Sequence, residues 1–238
     1  MKADLHIHTV LSPCGDLEMT PTAIVQSARR AGVGIVGITD HNSTRQCAGV
    51  MRAAKEAGGV FVMGGAEITT REEVHVLAFV DGEENLARLQ AFLDENLVRV
   101  PNRPDFFGYQ LVVDENEQVL YEEEALLIGA INKTVDEVEA FVHGLGGIFI
   151  PAHVDKGKDS LVSQLGFVPP KLRADAFELS PRCDEEQFLG AHPYLKGRRF
   201  VRSSDAHYPD DLWRATTELA IDDEPTFEKI KNALTKHA

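Results

Sequence analysis

The chain has 238 residues, of which 43% are hydrophobic and 26% charged, enough apolar material for a packed core and too little polarity for a disordered chain. Its formal net charge of −14 argues against the basic surface by which proteins grip long nucleic acid, but is compatible with a small phosphorylated ligand, because bound cations invert the local field. The three cysteines, Cys14, Cys47 and Cys183, form no C-x-x-C pair and read as free thiols of a reducing compartment.

Residues 3–9 read as a strand, broken by Asp4, His6 and His8, so that residues 1–30 hold no signal-peptide pattern. No apolar run reaches the roughly 18 residues of a membrane span, and the expected location is the cytoplasm, with no membrane partner. Thr20-Pro21 supplies a cap and a first-turn proline for a helix to about residue 31. Residues 34–39 (GIVGIT) are a buried strand and 44–57 a helix that Gly58-Gly59 ends. Strands follow at 60–63 and 74–80, then a helix at 83–96. The stretch from Pro101 to Tyr121 breaks this rhythm, and LVV-DENEQ-VLY reads as a hairpin. Residues 100–130 are expected to be an insertion near the active-site mouth, within a single domain spanning 1–238. Thr134-x-x-Glu137 is a capping box. Strands at 147–151, 176–179, 200–203 and 218–221 precede a closing helix at 225–236. Strands alternating with helices predict an α/β fold on a parallel sheet, open or closed.

Six of the nine histidines fall in or at the ends of these strands, where α/β folds place ligands. His6 and His8, two apart, share one strand face and form half of a metal site, or are two outward polar groups. Asp40-His41 follows a strand directly, as ligand or as helix cap. Glu67 follows Gly64-Gly65, and a carboxylate buried there needs partners; on a surface loop it needs none. His75 in an apolar strand fits a satisfied core position as well as a ligand. His153 ends another strand, and Asp205 and His207 repeat the spacing of His6 and His8. Taken together, these groups suit a multinuclear site for hard or borderline cations. Gly32-Val33-Gly34-Ile35-Val36-Gly37 matches a dinucleotide fingerprint in letters alone: a helix precedes it and its second half is a strand.

In their order along the chain, Asp4-Leu5-His6-Ile7-His8, Thr39-Asp40-His41, Gly65-Ala66-Glu67, Val74-His75-Val76, Pro151-Ala152-His153 and Asp205-Ala206-His207 resemble the PHP family, named for polymerase and histidinol phosphatase. The resemblance implies a distorted (β/α)7 TIM-like barrel and two or three divalent ions (Zn, Mn or Fe) at the carboxyl ends of the strands. It implies a first ion held by His6, His8, Glu67 and Asp205, and a second held by Glu67, His75 and His153. A third would take His41, His207 and a residue of the loop after the first strand. Many relatives carry a histidine in that loop; this chain has none between His8 and His41, and Asp16 is the expected substitute.

The expected activity is hydrolysis of a small phosphomonoester by a hydroxide bridging two metals. Glu67, Asp205 and His207 would serve the chemistry directly, with Asp40 orienting a ligand or relaying a proton. Arg71, Lys156 and Arg182 lie near ligand segments and are candidate phosphate clamps, or ordinary surface cations. The alternatives are a phosphodiesterase or nuclease acting on short or cyclic nucleotides, and a non-catalytic metal-binding regulatory module. The wider amidohydrolase group also begins with a His-x-His strand but often bridges its metals with a lysine, and no lysine ends a strand here.

Overall fold

The structure, a computed structural model, describes residues 1–235. Strands β1 (Lys2–Ile7), β2 (Ile35–Ile38), β3 (Phe61–Thr69), β4 (His75–Phe79), β7 (Ile148–Pro151) and β10 (Thr217–Glu218) form one sheet in the order β10-β1-β2-β3-β4-β7. β5 (Leu111–Val113) and β6 (Val119–Glu122) pair as a hairpin, and β8 (Phe177–Leu179) pairs with β9 (Phe200–Arg202) in parallel. Isolated backbone bonds curl these pieces toward one another. Val154 N–H donates to Glu178 O at 2.8 Å after β7, and a bridge joins Ile7 to Ala206 beyond β9. The result is a curled α/β half-barrel.

The wholly parallel sheet is not what forms. β1, β2 and β3 are parallel, but β4 runs antiparallel to both β3 and β7, and β10 antiparallel to β1. The cause lies in chain length. Residues 70–74 link β3 to β4, whereas a crossover to a parallel strand takes a dozen or more residues.

Helices α1 (Pro21–Ala31), α2 (Cys47–Ala57), α3 (Gly82–Asn96) and α5 (Val135–Gly144) cover the outer face. Their buried residues, among them Ile24, Val50, Leu89 and Val138, pack with Val36, Val62, Ala78 and Phe149 of the sheet. Inside the curl, Leu5, Ile35, Met63, Leu77, Phe79 and Ile150 form a second core, which α8 (Phe227–Thr235) plugs with Phe227, Ile230 and Leu234. Lys236, included in the expected closing helix, lies outside the described residues. Both sequence-read caps are made: Thr20 Oγ1 accepts from Ala23 N–H at 3.3 Å, and Thr134 and Glu137 complete a reciprocal box. Gly32 caps α1 and β2 follows it, so no dinucleotide loop forms. Short helices α4 (Pro104–Phe107), α6 (Leu161–Leu165) and α7 (Glu185–Ala191) were not expected. Among the described residues, no helix is long and apolar enough to cross a membrane.

The segment holding α4 and the hairpin rests on the loop after β1. Leu111 N–H donates to Val10 O at 3.1 Å, and the Gln46 amide bonds the backbone of Val113. At Gly108, with φ of +100°, a Cβ would stand 1.9 Å from Pro13 O, so only glycine lets the two loops meet.

Candidate metal centre

His6 lies on β1 and His8 just beyond it; Asp40 and His41 follow β2; Glu67 stands near the end of β3; His153 follows β7, and Asp205 and His207 follow β9. His75 joins them because β4 is reversed. The pairing of Thr69 with His75 puts the start of β4 beside the end of β3. A bridge between His41 and Glu67, and that between Ile7 and Ala206, fix neighbouring strand ends.

Glu67 is the hub. Its Oε1 stands 3.3 Å from His6 Nε2, 2.8 Å from His75 Nδ1 and 3.3 Å from His153 Nε2, while its Oε2 stands 3.3 Å from His8 Nε2 and 3.1 Å from His41 Nδ1. His6 Nε2 and His8 Nε2 are 3.2 Å apart, and Asp205 Oδ1 lies 3.3 and 3.6 Å from them. Donors about 2.1 Å from a tetrahedral ion are spaced about 3.4 Å from one another. The distances in the cluster, from 2.8 to 3.6 Å, bracket that spacing, so its donors suit a divalent ion. Two imidazole nitrogens meeting at such a distance also compete for one proton, a tension that coordination removes.

Among the described residues, three sets of potential ligand atoms lie within 4.8 Å of one another: His6, His8 and Glu67; Glu67, His75 and His153; and His8, His41 and His207. Asp205 borders the first set through His6 and His8. Buried atoms without a hydrogen-bond partner include His41 Nδ1, His153 Nδ1 and Asp4 Oδ2; His41 Nδ1 is close to Glu67 but not aligned for a bond. Orphaned buried polar atoms are uncommon in native structures and mark a place for an ion or water.

Asp16 does not join any of these sets. Its Oδ1 accepts from Glu18 N–H at 2.8 Å, a local turn that draws the carboxylate away. Its backbone N–H instead donates to His207 O at 2.8 Å. Arg71, on the β3–β4 turn, and Arg182, after β8, are exposed, and no ion pair among the described residues uses either side chain. Lys156 is different, because its ammonium bonds Asp205 Oδ2 at the rim of the cluster.

An outer layer orients the histidines. Asp40 accepts from Thr9 N–H, Thr9 Oγ1 and Ser12 Oγ, each at 2.7 Å, and Ser12 Oγ lies 2.9 Å from His8 Nδ1. Asp40 therefore steadies His8 through Ser12. Glu178, which sequence reasoning missed, is buried on β8. It lies 3.0 and 3.2 Å from His6 Nδ1 and accepts from His153 N–H at 3.0 Å. The only signal was a carboxylate between Phe177 and Leu179 in a short apolar strand. Carboxylates behind ligand histidines fix the tautomer and raise basicity.

The electrostatics follow from this packing. Burial works to raise the Glu67 pKa, but His75 and His6, with His153 and His41 close by, hold it well below the usual carboxylate range. Asp205 is likewise depressed against burial, by His6 and His8 first. Burial works to lower His6, yet Glu178, Asp205 and Glu67 push it well above the ordinary imidazole value, and His8 is also raised by Asp205 and Glu67. His207 falls to about 3, through burial and then repulsion from His8. Asp205 (φ 53°) and His153 (φ 30°) also adopt left-handed backbone, a strain of about 1–3 kcal/mol each that functional sites characteristically hold.

Imidazoles and carboxylates converge at one end of a curled α/β sheet, an arrangement suited to divalent cations. The PHP domain matches residues 4–147, more than half of the chain, and the chain belongs to the PHP domain family. An uncharacterized protein of Methanocaldococcus jannaschii is 38% identical over 82 residues, covering 31% of this chain and 48% of that protein. The lesion-specific endonuclease PfuEndoQ from Pyrococcus furiosus superposes with a TM-score of 0.67 at 19% identity, over 98% of this chain and 55% of that one. A protein from Bifidobacterium adolescentis described as a metal-dependent phosphoesterase superposes with a TM-score of 0.62 at 20% identity, over 98% of this chain and 95% of that one. The chain thus spans about half the length of the methanogen protein and of the endonuclease, and at these identities the structural likenesses speak to the fold.

Proposed function

We propose that the chain hydrolyses a small phosphomonoester, such as a nucleotide, histidinol phosphate or a similar metabolite, with divalent metals. The observation that carries this reading is the single carboxylate of Glu67 within 3.3 Å of five imidazoles. His6, His8, Glu67 and Asp205 would hold one ion, Glu67, His75 and His153 a second, and the His41 and His207 side of the cluster a third. Divalent ions at such a site lower the pKa of water toward neutrality and polarise phosphoryl oxygens. Glu178 and Asp40 keep His6 and His8 in the tautomer whose Nε2 is free to ligate. Lys156, already at Asp205, is within reach of a phosphoryl oxygen at the rim, where its charge would neutralise the substrate. The net charge of −14 disfavours long nucleic acid.

The likeness to a lesion-specific endonuclease supports a second reading, cleavage of a phosphodiester in a nucleic acid. Assaying para-nitrophenyl phosphate and its bis ester with Zn, Mn and Fe separates the two. Faster turnover of the monoester is expected. Preference for the diester, or cleavage of damaged duplex DNA, would favour the second reading, and no turnover with any metal a non-catalytic role.

A further inference from the structure

We propose that the cavity beside β9 and β10, lined by Arg198, Arg199 and Arg202, is an anion site that takes the phosphate group of a small molecule. It uses none of the residues assigned to the metal centre, so either reading can fail without the other.

Residues 196–202 read Lys-Gly-Arg-Arg-Phe-Val-Arg, four cations in seven positions of a chain whose net charge is −14. Like charges so close repel unless something answers them, and the fold does not disperse these. Arg198, Arg199 and Arg202 line one cavity of about 390 Å³ with Thr216 and Thr217, a size in the range of small-molecule sites. Only Arg202 is answered from within the protein. It donates to Ser180 O at 3.0 Å and Cys183 O at 3.1 Å, and stands 3.4 Å from Glu185 Oε2. Glu185 is the one acidic residue of the lining. Three guanidinium groups less one carboxylate leave two positive charges, about what a phosphate monoester carries with the opposite sign. Among the described residues, no ion pair uses Arg198 or Arg199. Arg199 is half-buried, and its Nε is shut off from solvent without a hydrogen-bond partner. A buried donor left single is uncommon in native structures and asks for a partner. Guanidinium forks meet phosphate oxygens through paired N–H bonds, which gives Arg198 and Arg199 that partner.

The backbone that carries these arginines is held in place. Arg202 N–H donates to Thr217 Oγ1 at 2.7 Å, and that hydroxyl donates to Arg202 O at 2.9 Å. Arg199 O accepts from Phe177 N–H at 2.8 Å. A frame fixed beforehand spares the ligand the cost of ordering it. Arg198 and Arg199 stand at the start of β9, whereas Asp205 and His207 follow its end. One phosphate therefore cannot serve both sites.

The test follows the backbone amide resonances of zinc-loaded, isotope-labelled protein titrated with inorganic phosphate and then with phenylphosphonate, at constant ionic strength. Saturable shifts are expected at Gly197 to Arg202 and at Thr216 and Thr217. The dissociation constant should rise at least about tenfold in Arg198→Ala and in Arg199→Ala, as loss of a charged hydrogen bond implies. It should stay within about twofold in Lys156→Ala, at the metal rim, and in Arg88→Ala, an exposed arginine of α3. Tighter binding of the phosphonate supports an organic phosphate as the ligand, and equal binding the free ion. Shifts confined to the surroundings of Glu67 and His207 would overturn the pocket and leave the metal centre standing. Shifts that rise without saturating, or binding that Arg198→Ala leaves intact, would overturn it as well. Arg198 is exposed, so its variant keeps the test readable if Arg199→Ala does not fold. A pocket that responds to duplex DNA but not to phosphate would overturn the small-molecule reading in favour of a nucleic-acid backbone.

Discussion

Replacing Glu178 with Gln tests whether the cluster is an oriented metal centre or a chance meeting of histidines. The carboxylate lies 3.0 and 3.2 Å from His6 Nδ1 and accepts from His153 N–H at 3.0 Å. A glutamine has nearly the same shape but one acceptor oxygen. With its oxygen in place of Oε2 it can still accept from both His6 and His153, but its NH2 group then stands where Oε1 was, 3.2 Å from His6 Nδ1, and the flipped amide sets NH2 against both donors. It also removes one of the negative charges that raise His6. Losing such a partner of a ligand histidine typically weakens metal binding 10–100-fold, or about 1.4–2.7 kcal/mol. Competition against a chromophoric chelator measures the affinity, and urea unfolding of the metal-free protein separates it from stability. An affinity within about twofold of wild type, with the fold intact, would refute the role given to Glu178 and weaken the case that His6 is a ligand.

Other predictions follow the same cluster. Glu67→Ala or Asp205→Ala should lower metal content by elemental analysis and abolish turnover, with the circular dichroism spectrum unchanged; near-normal turnover would count against either role. Gly65→Ala should cost about 1–3 kcal/mol in urea unfolding, because its Cβ would stand 2.2 Å from Ala78 O and 2.7 Å from Phe79 Cδ1; an unshifted midpoint would contradict the packing of β3 on β4. In chelator-treated protein, thermal stability should fall as the pH rises from mildly acid to alkaline. His6, His8 and His41 are raised above 6.5. What they contribute is fully present below that value and lost as pH climbs through their folded-state pKa. Asp4, pushed up to about 7 by burial, acts in the same direction. Glu67 and Asp205 are lowered, so what they add is present above 4.5 and 3.8 and lost in acid, and His207, lowered to about 3, also disfavours acid. The stabilisation gained on adding metal should instead grow with pH, since protons compete for the same nitrogens. A metal-free protein that gains stability toward alkaline pH would overturn this account.

The clustering of ligand candidates was legible because the evidence was local. Two histidines spaced by two must share a strand face, and Thr134-x-x-Glu137 reports its own cap. The direction of β4 was harder, since apolar alternation is the same in either sense; yet the shortness of residues 70–74 excluded a crossover and was available to be read. Glu178 was hidden because one carboxylate in a three-residue strand has no periodicity to set it apart. Asp16 was named for the loop after β1 because side-chain direction in a turn depends on the bonds the turn makes, here the acceptance from Glu18 N–H that draws its carboxylate aside, and no local pattern reveals them. The helices at 161–165 and 185–191 were too short to show a helical period.

The bridge between Ile7 and Ala206 has a consequence for biosynthesis. A ribosome that has not yet released residues beyond about 205 presents His6 and His8 without Asp205 or His207, while Glu67, His75 and His153 can already meet. Pairings between segments so far apart in sequence form late because long loops are costly to close. Cofactor loading should therefore proceed in order during synthesis, and a nascent chain stalled before that point would carry an ion at the Glu67–His75–His153 position with its companion positions still unbuilt.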